Sequence, residues 1–350
     1  MHHDQSTVLR ILDANFNRCC EGLRVVEEYL RFVLEDPQLA TECKEIRHAV
    51  TTVLAPLAVE QLHAARDATG DIGATIGTEA EYERSTPLQV AAASLKRAQQ
   101  ALRALEEYSK LISPRVATGI EPLRYRTYTL ERAVTLTCRS LIRLEQAHIY
   151  VLLDGRHSLD EFEHLATDLI RGGADIIQLR DKNLTDRELL ARAQLLRAVT
   201  RGTKTLMIVN DRLDLALLAQ ADGVHLGQDE ISVKNAREIL GPEALIGLST
   251  HTIEQAREAV LTGADYLGCG PTFPSATKSF EQYAGLEFLR QVHKETRRPS
   301  FAIGGIDREN LQQVVSTGFN RIAVRHAVTN ADDPIMVLKE MRKTLSLPDE

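Results

Sequence analysis

From about residue 148 onward, apolar positions gather in short runs separated by amphipathic stretches. The runs cover 149–154, 174–180, 205–211, 222–227, 244–249, 265–270, 300–305 and 321–326. Between them lie helical patterns such as LDEFEHLATDLIRGG and TIEQAREAVLTGA. Several of these end on glycine (Gly172-Gly173, Gly263, Gly318), the usual signal of a helix C-terminus. Eight strand-like runs with mostly helical connections, followed by a last helix near 334–345, predict a closed (β/α)8 TIM barrel over 147–350. An open doubly wound sheet is disfavoured, because no GxGxxG turn follows the first run.

The first half has another texture. Val8, Ile11, Leu12 and Phe16, then Leu23, Val26, Leu30 and Val33, follow helical spacing. Asp36-Pro37 breaks that helix, and a second is expected to run to about Leu62. The stretch RDATGDIGATIGTEAEYERSTP is polar and glycine-containing, so it reads as a loop, and Arg66-Asp67 to Asp71-Ile72-Gly73 is its best site candidate. A helix opening at Pro87 runs to about Ile112, and a last one covers 121–144. Residues 1–146 are therefore expected to be an all-α domain preceding the barrel.

This domain contains an echo. LRVVEEY at 23–29 returns as LRALEEY at 102–108, and each copy is followed by an Arg among apolar residues, Arg47 and Arg124. We read a duplicated helical hairpin. Arg24, Glu27, Arg103 and Glu106 are expected to be ion pairs at the edge of its core, with a pocket lining as the alternative.

Composition narrows the class. The 350 residues carry 42 Lys and Arg against 49 Asp and Glu, a formal charge of −7, which argues against a large nucleic-acid footprint. No apolar stretch is long enough to span a membrane, and no signal-peptide pattern opens the chain. Cys19, Cys20, Cys43, Cys138 and Cys269 form no CxxC pair, which suggests reduced thiols and a cytoplasmic setting.

In a parallel barrel the C-terminal strand ends face the reactants. After the second run come Gln178, Arg180 and Lys182, spaced by two and so aimed the same way, a pattern suited to gripping phosphate. Asn210 and Asp211 follow the third run, and Gln228, Asp229 and Glu230 the fourth. Ser249 and His251 follow the fifth, Ser275, Thr277 and Lys278 the sixth, Gly304-Gly305 the seventh, and Arg325-His326 the eighth. Cations and hydroxyls suit two anionic groups, and acids on adjacent strands suit Mg²⁺, which takes one or two carboxylates plus phosphate oxygens and water. No Ser–His–Asp or Cys–His set is evident, so metal-assisted group transfer fits better than covalent catalysis. Any one of these residues alone has a bland reading, Asp211 as a helix cap and His225 as a packed histidine. Their joint placement at successive strand ends is what points to a site.

The segments QLRDK, NDRxDLAxxxxADGVHLGQ, GLSTH, DYLGCGPTFPSATK and AIGGI closely resemble thiamine-phosphate synthase, in that family's order and across about 148–345. The resemblance implies a barrel that joins hydroxymethylpyrimidine diphosphate to hydroxyethylthiazole phosphate, carboxylated or not, releasing diphosphate with the help of Mg²⁺. It implies pyrimidine diphosphate contacts at Gln178, Arg180, Lys182, Asn210, Ser249 and Lys278, of which Arg180, Lys182, Ser249 and Lys278 would be catalytic. It implies thiazole phosphate contacts at Ser275, Thr277, Gly305 and the loop around Arg325-His326, and Mg²⁺ on Asp211 and Glu230. Three places depart from the family pattern. Glu230 stands where Asp is usual, which leaves Asp229 as a competitor; Ser275 stands where Thr is usual; Arg325-His326 replaces an apolar residue and a Ser. The helical half resembles the N-terminal extension of some of these synthases, linked to the kinase step of the same pathway, although it has neither a Walker motif nor a Gly-rich nucleotide loop. The alternatives are a thiazole tautomerase-like enzyme, which needs no diphosphate clamp, and a non-catalytic thiazole-phosphate sensor. Oligomeric state, a homo-oligomer included, is left open by the sequence.

Overall fold

The structure is a computed structural model that describes residues 2–57, 59–67, 83–274 and 283–345. It divides into two compact units, Met1–Thr135 and Leu136–Glu350. Among the described residues no helix is long and apolar enough to cross a membrane.

The first unit is helical: α1 (His2–Phe32), α2 (Pro37–Leu54), α3 (Val59–Ala65), α4 (Pro87–Ser109) and the greater part of α5 (Pro114–Arg143). Two expectations need correction. The second helix stops at Leu54 and not at Leu62, because Pro56 brings no N–H to continue it, and α3 forms separately. The last helix begins at Pro114 and not at 121; Pro122 sits inside it, tolerated at the loss of one backbone bond to Thr118. The echo in sequence is an echo in structure. Glu27 is buried and accepts from Arg47 of α2 at 3.0 Å, and Glu106 is buried and accepts from Arg124 of α5 at 2.7 Å. Arg24 and Arg103 close the same pairs one helical turn away, at 3.2 and 3.1 Å. The ion-pair reading of these residues holds, with the carboxylates deeper than the surface. The expected loop site at 66–73 falls mostly outside the described residues; Arg66 itself makes a two-pronged pair with buried Asp13, at 2.7 Å on both oxygens.

The second unit is the barrel. Its strands are β1 (Ile149–Leu153), β2 (Ile176–Leu179), β3 (Leu206–Asn210), β4 (Gly223–Leu226), β5 (Leu245–Thr250), β6 (Tyr266–Cys269), β7 (Ser300–Ile303) and β8 (Ile322–Val324). They close in order, all parallel, with β8 pairing back to β1. The helices between them are α6 (Leu159–Arg171), α7 (Asp186–Thr200), α8 (Leu213–Leu218), α9 (Val233–Leu240), α10 (Ile253–Thr262), α11 (Gly285–Glu295) and α12 (Leu311–Val315), with α13 (His326–Thr329) and α14 (Pro334–Leu345) after β8. All eight expected strands are present. Helix starts follow their caps: Ser158, Thr185, Ser232 and Thr252 each accept a hydrogen bond from the backbone N–H three residues on.

Inside the barrel, Tyr150, Tyr266 and Phe301 meet edge-to-face or tilted, with centroids 5.4–5.9 Å apart. Each buried ring contributes about 2–3 kcal/mol of burial. Such bulk fits because β5 and β6 offer glycine. A Cβ on Gly247 would lie 2.2 Å from Tyr266 Cζ, and one on Gly268 would lie 3.0 Å from His225 Cε1.

The division between the compact units falls within α5. The last turns of α5 are tied to the barrel. Arg139 donates to fully buried Asp265 at 2.8 Å, Ser140 donates to the same carboxylate, and Leu144 packs with the barrel core. A chain starting at residue 136 is therefore expected to melt several degrees above one starting at 147, as thermal unfolding of the two truncations would show; equal melting temperatures would mean that these turns add nothing to the barrel.

Candidate active site

The strand ends bring most of the expected residues to one rim. At β2 and β3, fully enclosed Gln178 donates its amide to Asn210 Oδ1 at 2.9 Å, and Asn210 donates its own to Asp211 Oδ2 at 2.6 Å. This chain of bonds presents Asp211 as an acceptor, the form in which a carboxylate binds metal. Asp211 has left-handed backbone, φ 59, and its N–H is held by His225 O at 3.0 Å. Asp and Asn are the side chains that tolerate that conformation best after glycine.

On β4 and β5, His225 Nε2 shares a hydrogen bond with Ser249 Oγ at 2.9 Å, and Gln228 donates to the Ser249 carbonyl. Ser249 is thereby fixed from two sides. His225 is partly buried, its Nδ1 has no hydrogen-bond partner among the described residues, and its ring lies 5.6 Å from that of Tyr266. Burial, helped by the nearby charge of Arg180, pulls its pKa down to about 4. The imidazole is therefore neutral at pH 7, which supports the reading of a packed histidine. In the unfolded chain the ordinary value is 6.5. Below pH 6.5 the unfolded state takes up a proton that the native state refuses until about pH 4, so stability is lost as pH falls through this window. The loss is at most about 3–4 kcal/mol. Melting temperatures between pH 7 and 4 should fall less steeply for His225→Gln; parallel slopes would exclude this histidine as the source.

Arg180 is half-buried at the end of β2, and burial together with the adjacent Arg325 charge lowers its pKa, against the opposing pull of Asp211. Lys182 is exposed at the mouth. Both line a cavity of about 630 Å³ that also takes in Arg156, Arg325 and His326. Asp154, Arg156, Asp181 and Asn330 line it too, and sequence reasoning did not select them. The signal for Asp154 was available: it ends the first strand run as Asp211 ends the third.

Gly304 and Gly305 have φ of 102 and 65, values that suit glycine. What presses on them is the chain itself. A Cβ on Gly304 would lie 2.7 Å from Pro271 Cα, and one on Gly305 would lie 2.5 Å from the Pro274 carbonyl oxygen. Thr272 and Phe273 donate their backbone N–H groups to Ile303 and Gly304 at 2.9 Å. The pair thus seats the segment that leads into Ser275, Thr277 and Lys278, and those three lie outside the described residues.

The donor set fits Mg²⁺ held jointly with substrate. Asp211 stands on the rim, and Glu230, exposed in the β4–α9 connection, folds its Cγ to 3.4 Å from where a Gly227 Cβ would be. Among the described residues no three His, Cys, Asp or Glu side chains converge on a cage. Two carboxylates completed by phosphate oxygens and water are what Mg²⁺ usually takes.

Comparisons with known proteins agree with this architecture. Residues 149–328 match the family model described as thiamine monophosphate synthase, and residues 10–133 match the one described as the ThiD2 family. A thiamine-phosphate synthase of Rhodopirellula baltica is 43% identical, over 98% of this chain and 94% of the relative. One from Gloeobacter violaceus is 44% identical over 95% of each chain. The solved structure of a thiamine phosphate pyrophosphorylase from Pyrococcus furiosus, 37% identical, covers 58% of this chain and 97% of its own, with a TM-score of 0.51.

Proposed function

This chain belongs to the thiamine-phosphate synthase family, and from that premise we propose how its own residues carry the reaction. The enzyme is a transferase that joins a pyrimidine methyl diphosphate to a thiazole phosphate, giving thiamine phosphate and diphosphate. We infer that Arg180 and Lys182, with Lys278, hold the diphosphate as its C–O bond breaks. Gln178 and Asn210 orient one another and the pyrimidine, and Ser249, pinned by His225 and Gln228, faces the same ring. Ser275, Thr277, Gly305 and the backbone of the loop around Arg325-His326 take the thiazole phosphate.

Asp211 and Glu230 would hold Mg²⁺, which when bound neutralises charge on the leaving diphosphate. Asp229 remains the competitor of Glu230, since both are exposed on the same connection. No strong base is needed, because the acceptor nitrogen attacks with its own lone pair and the developing charges are met by fixed cations. The neutral histidine beside Ser249 agrees with this. We place the reaction in the cytoplasm, an assignment supported by five cysteines among which no disulfide forms.

The observation that carries the proposal is the hydrogen-bonded row Gln178–Asn210–Asp211 beside Arg180. The test is formation of thiamine phosphate from the two substrates by purified protein. A chelator should remove turnover and added Mg²⁺ should restore it. Full turnover in excess chelator would sink the metal assignment. A tautomerase-like enzyme or a sensor would form no thiamine phosphate at all.

A further inference from the structure

The cavity at the barrel mouth has a direction that strand order explains. β8 neighbours β1, and β1 neighbours β2. Arg325, at the end of β8, reaches toward β1 and donates to Asp154 Oδ2 at 3.1 Å. Arg156, with φ of 52, approaches the other oxygen of Asp154 with its Nε at 2.8 Å. The two guanidinium groups therefore share one carboxylate, in the same cavity as Arg180 and Lys182. Gly304 and Gly305 are not part of that wall.

The loop that carries Arg156 is built, not incidental. Arg192, nearly fully buried, donates to the carbonyls of Gly155 and Arg156. Asp181 accepts from the N–H groups of Gly155 and Asn183 at 3.0 and 2.8 Å, so its charge is occupied by backbone donors. A side chain at Gly155 would strike Leu184 at 2.2 Å. Four cations thus face this cavity against two engaged carboxylates, a surplus that suits a highly charged anion.

We propose that Arg325 and Arg156, positioned by Asp154, serve the diphosphate, extending the clamp of Arg180 and Lys182, and that the Arg325 side chain does not serve the phosphate of the thiazole. This rests on the proposed placement of the diphosphate at Arg180 and Lys182. When the C–O bond breaks, its electron pair leaves with the diphosphate, and the new C–N bond uses the thiazole nitrogen's lone pair. The departing group gains one negative charge, and two further guanidinium groups stabilise it where that charge appears. Asp154 is a positioning residue: it holds two like charges side by side that would otherwise repel.

The experiment is steady-state kinetics of the full chain with Mg²⁺, using inorganic diphosphate as inhibitor. Arg325→Ala and Arg156→Ala should each weaken inhibition by diphosphate about tenfold and lower kcat, the size expected for losing one charged hydrogen-bond partner. The KM for the thiazole phosphate should stay within about twofold, since that phosphate does not use the guanidinium. A raised thiazole phosphate KM with unchanged diphosphate inhibition would overturn the proposal. Arg325→Met keeps the apolar stem and gives the same reading should the Ala variant fail to fold. Arg180→Ala separates the two levels. If Arg180→Ala weakens diphosphate inhibition and Arg325→Ala does not, this inference alone fails. If neither does, the placement of the diphosphate itself is wrong.

Discussion

Asp211→Ala is expected to lower kcat/KM for thiamine phosphate formation by about a thousandfold, near 4 kcal/mol of transition-state stabilisation. The charge at this position is held by the amide of Asn210 and lies beside Arg180, where metal and diphosphate are proposed to meet. The backbone complicates the reading, because φ at 211 is 59 and Ala pays about 1–2 kcal/mol there. Asp211→Asn settles the matter, since Asn accepts the left-handed conformation and removes only the charge. Both variants should lose activity alike, and Asn should keep the wild-type melting temperature. An Asn variant with near-normal turnover would show that no carboxylate is needed at this strand end.

Gly223→Ala is expected to unfold the barrel more readily, by about 3 kcal/mol or more, a fall in Tm of roughly 6–12 °C for a unit of this size. The added Cβ would lie 1.9 Å from the Leu245 carbonyl oxygen and 2.8 Å from its Cα, all backbone of the neighbouring strand. A flexible side chain could move aside; a strand in a closed barrel is held by neighbours on both edges. Gly202→Ala is the control. Its φ is 79, but none of the described residues lies within 4 Å of a Cβ there, so only the backbone penalty of about 1 kcal/mol applies. If the two substitutions cost the same, the close approach of β4 to β5 is not what requires glycine at 223.

The strand count was legible because each strand of a parallel barrel is buried on both faces and reads as one apolar run. The rim was legible for a related reason: burial stops abruptly where the barrel ends, so the first polar residue after each run marks the mouth. The repeat in the helical unit was legible too, as the EEY motif places one buried glutamate in each copy. Helix ends were less so. Pro56 and Pro122 look alike as breakers, yet one ends a helix and the other is carried inside one, since a single lost backbone bond is offset by packing elsewhere along a long helix.

What the sequence determined by itself is therefore the order of elements, the identity of the rim residues, and the family pattern they form. What only the tertiary structure decided is which rim residues face each other. Arg180 and Arg325 are far apart in the chain, and barrel closure through β1 brings both to one cavity. Gly304-Gly305 is held against the Pro271–Pro274 backbone, a contact between two loops that neither loop's sequence announces. Asp154 gained its role only when two arginines from different loops met on it. Local pattern reports burial and periodicity, which each residue carries in its neighbours along the chain. Pairing across the mouth depends on closure and side-chain direction, and no short window of sequence contains either.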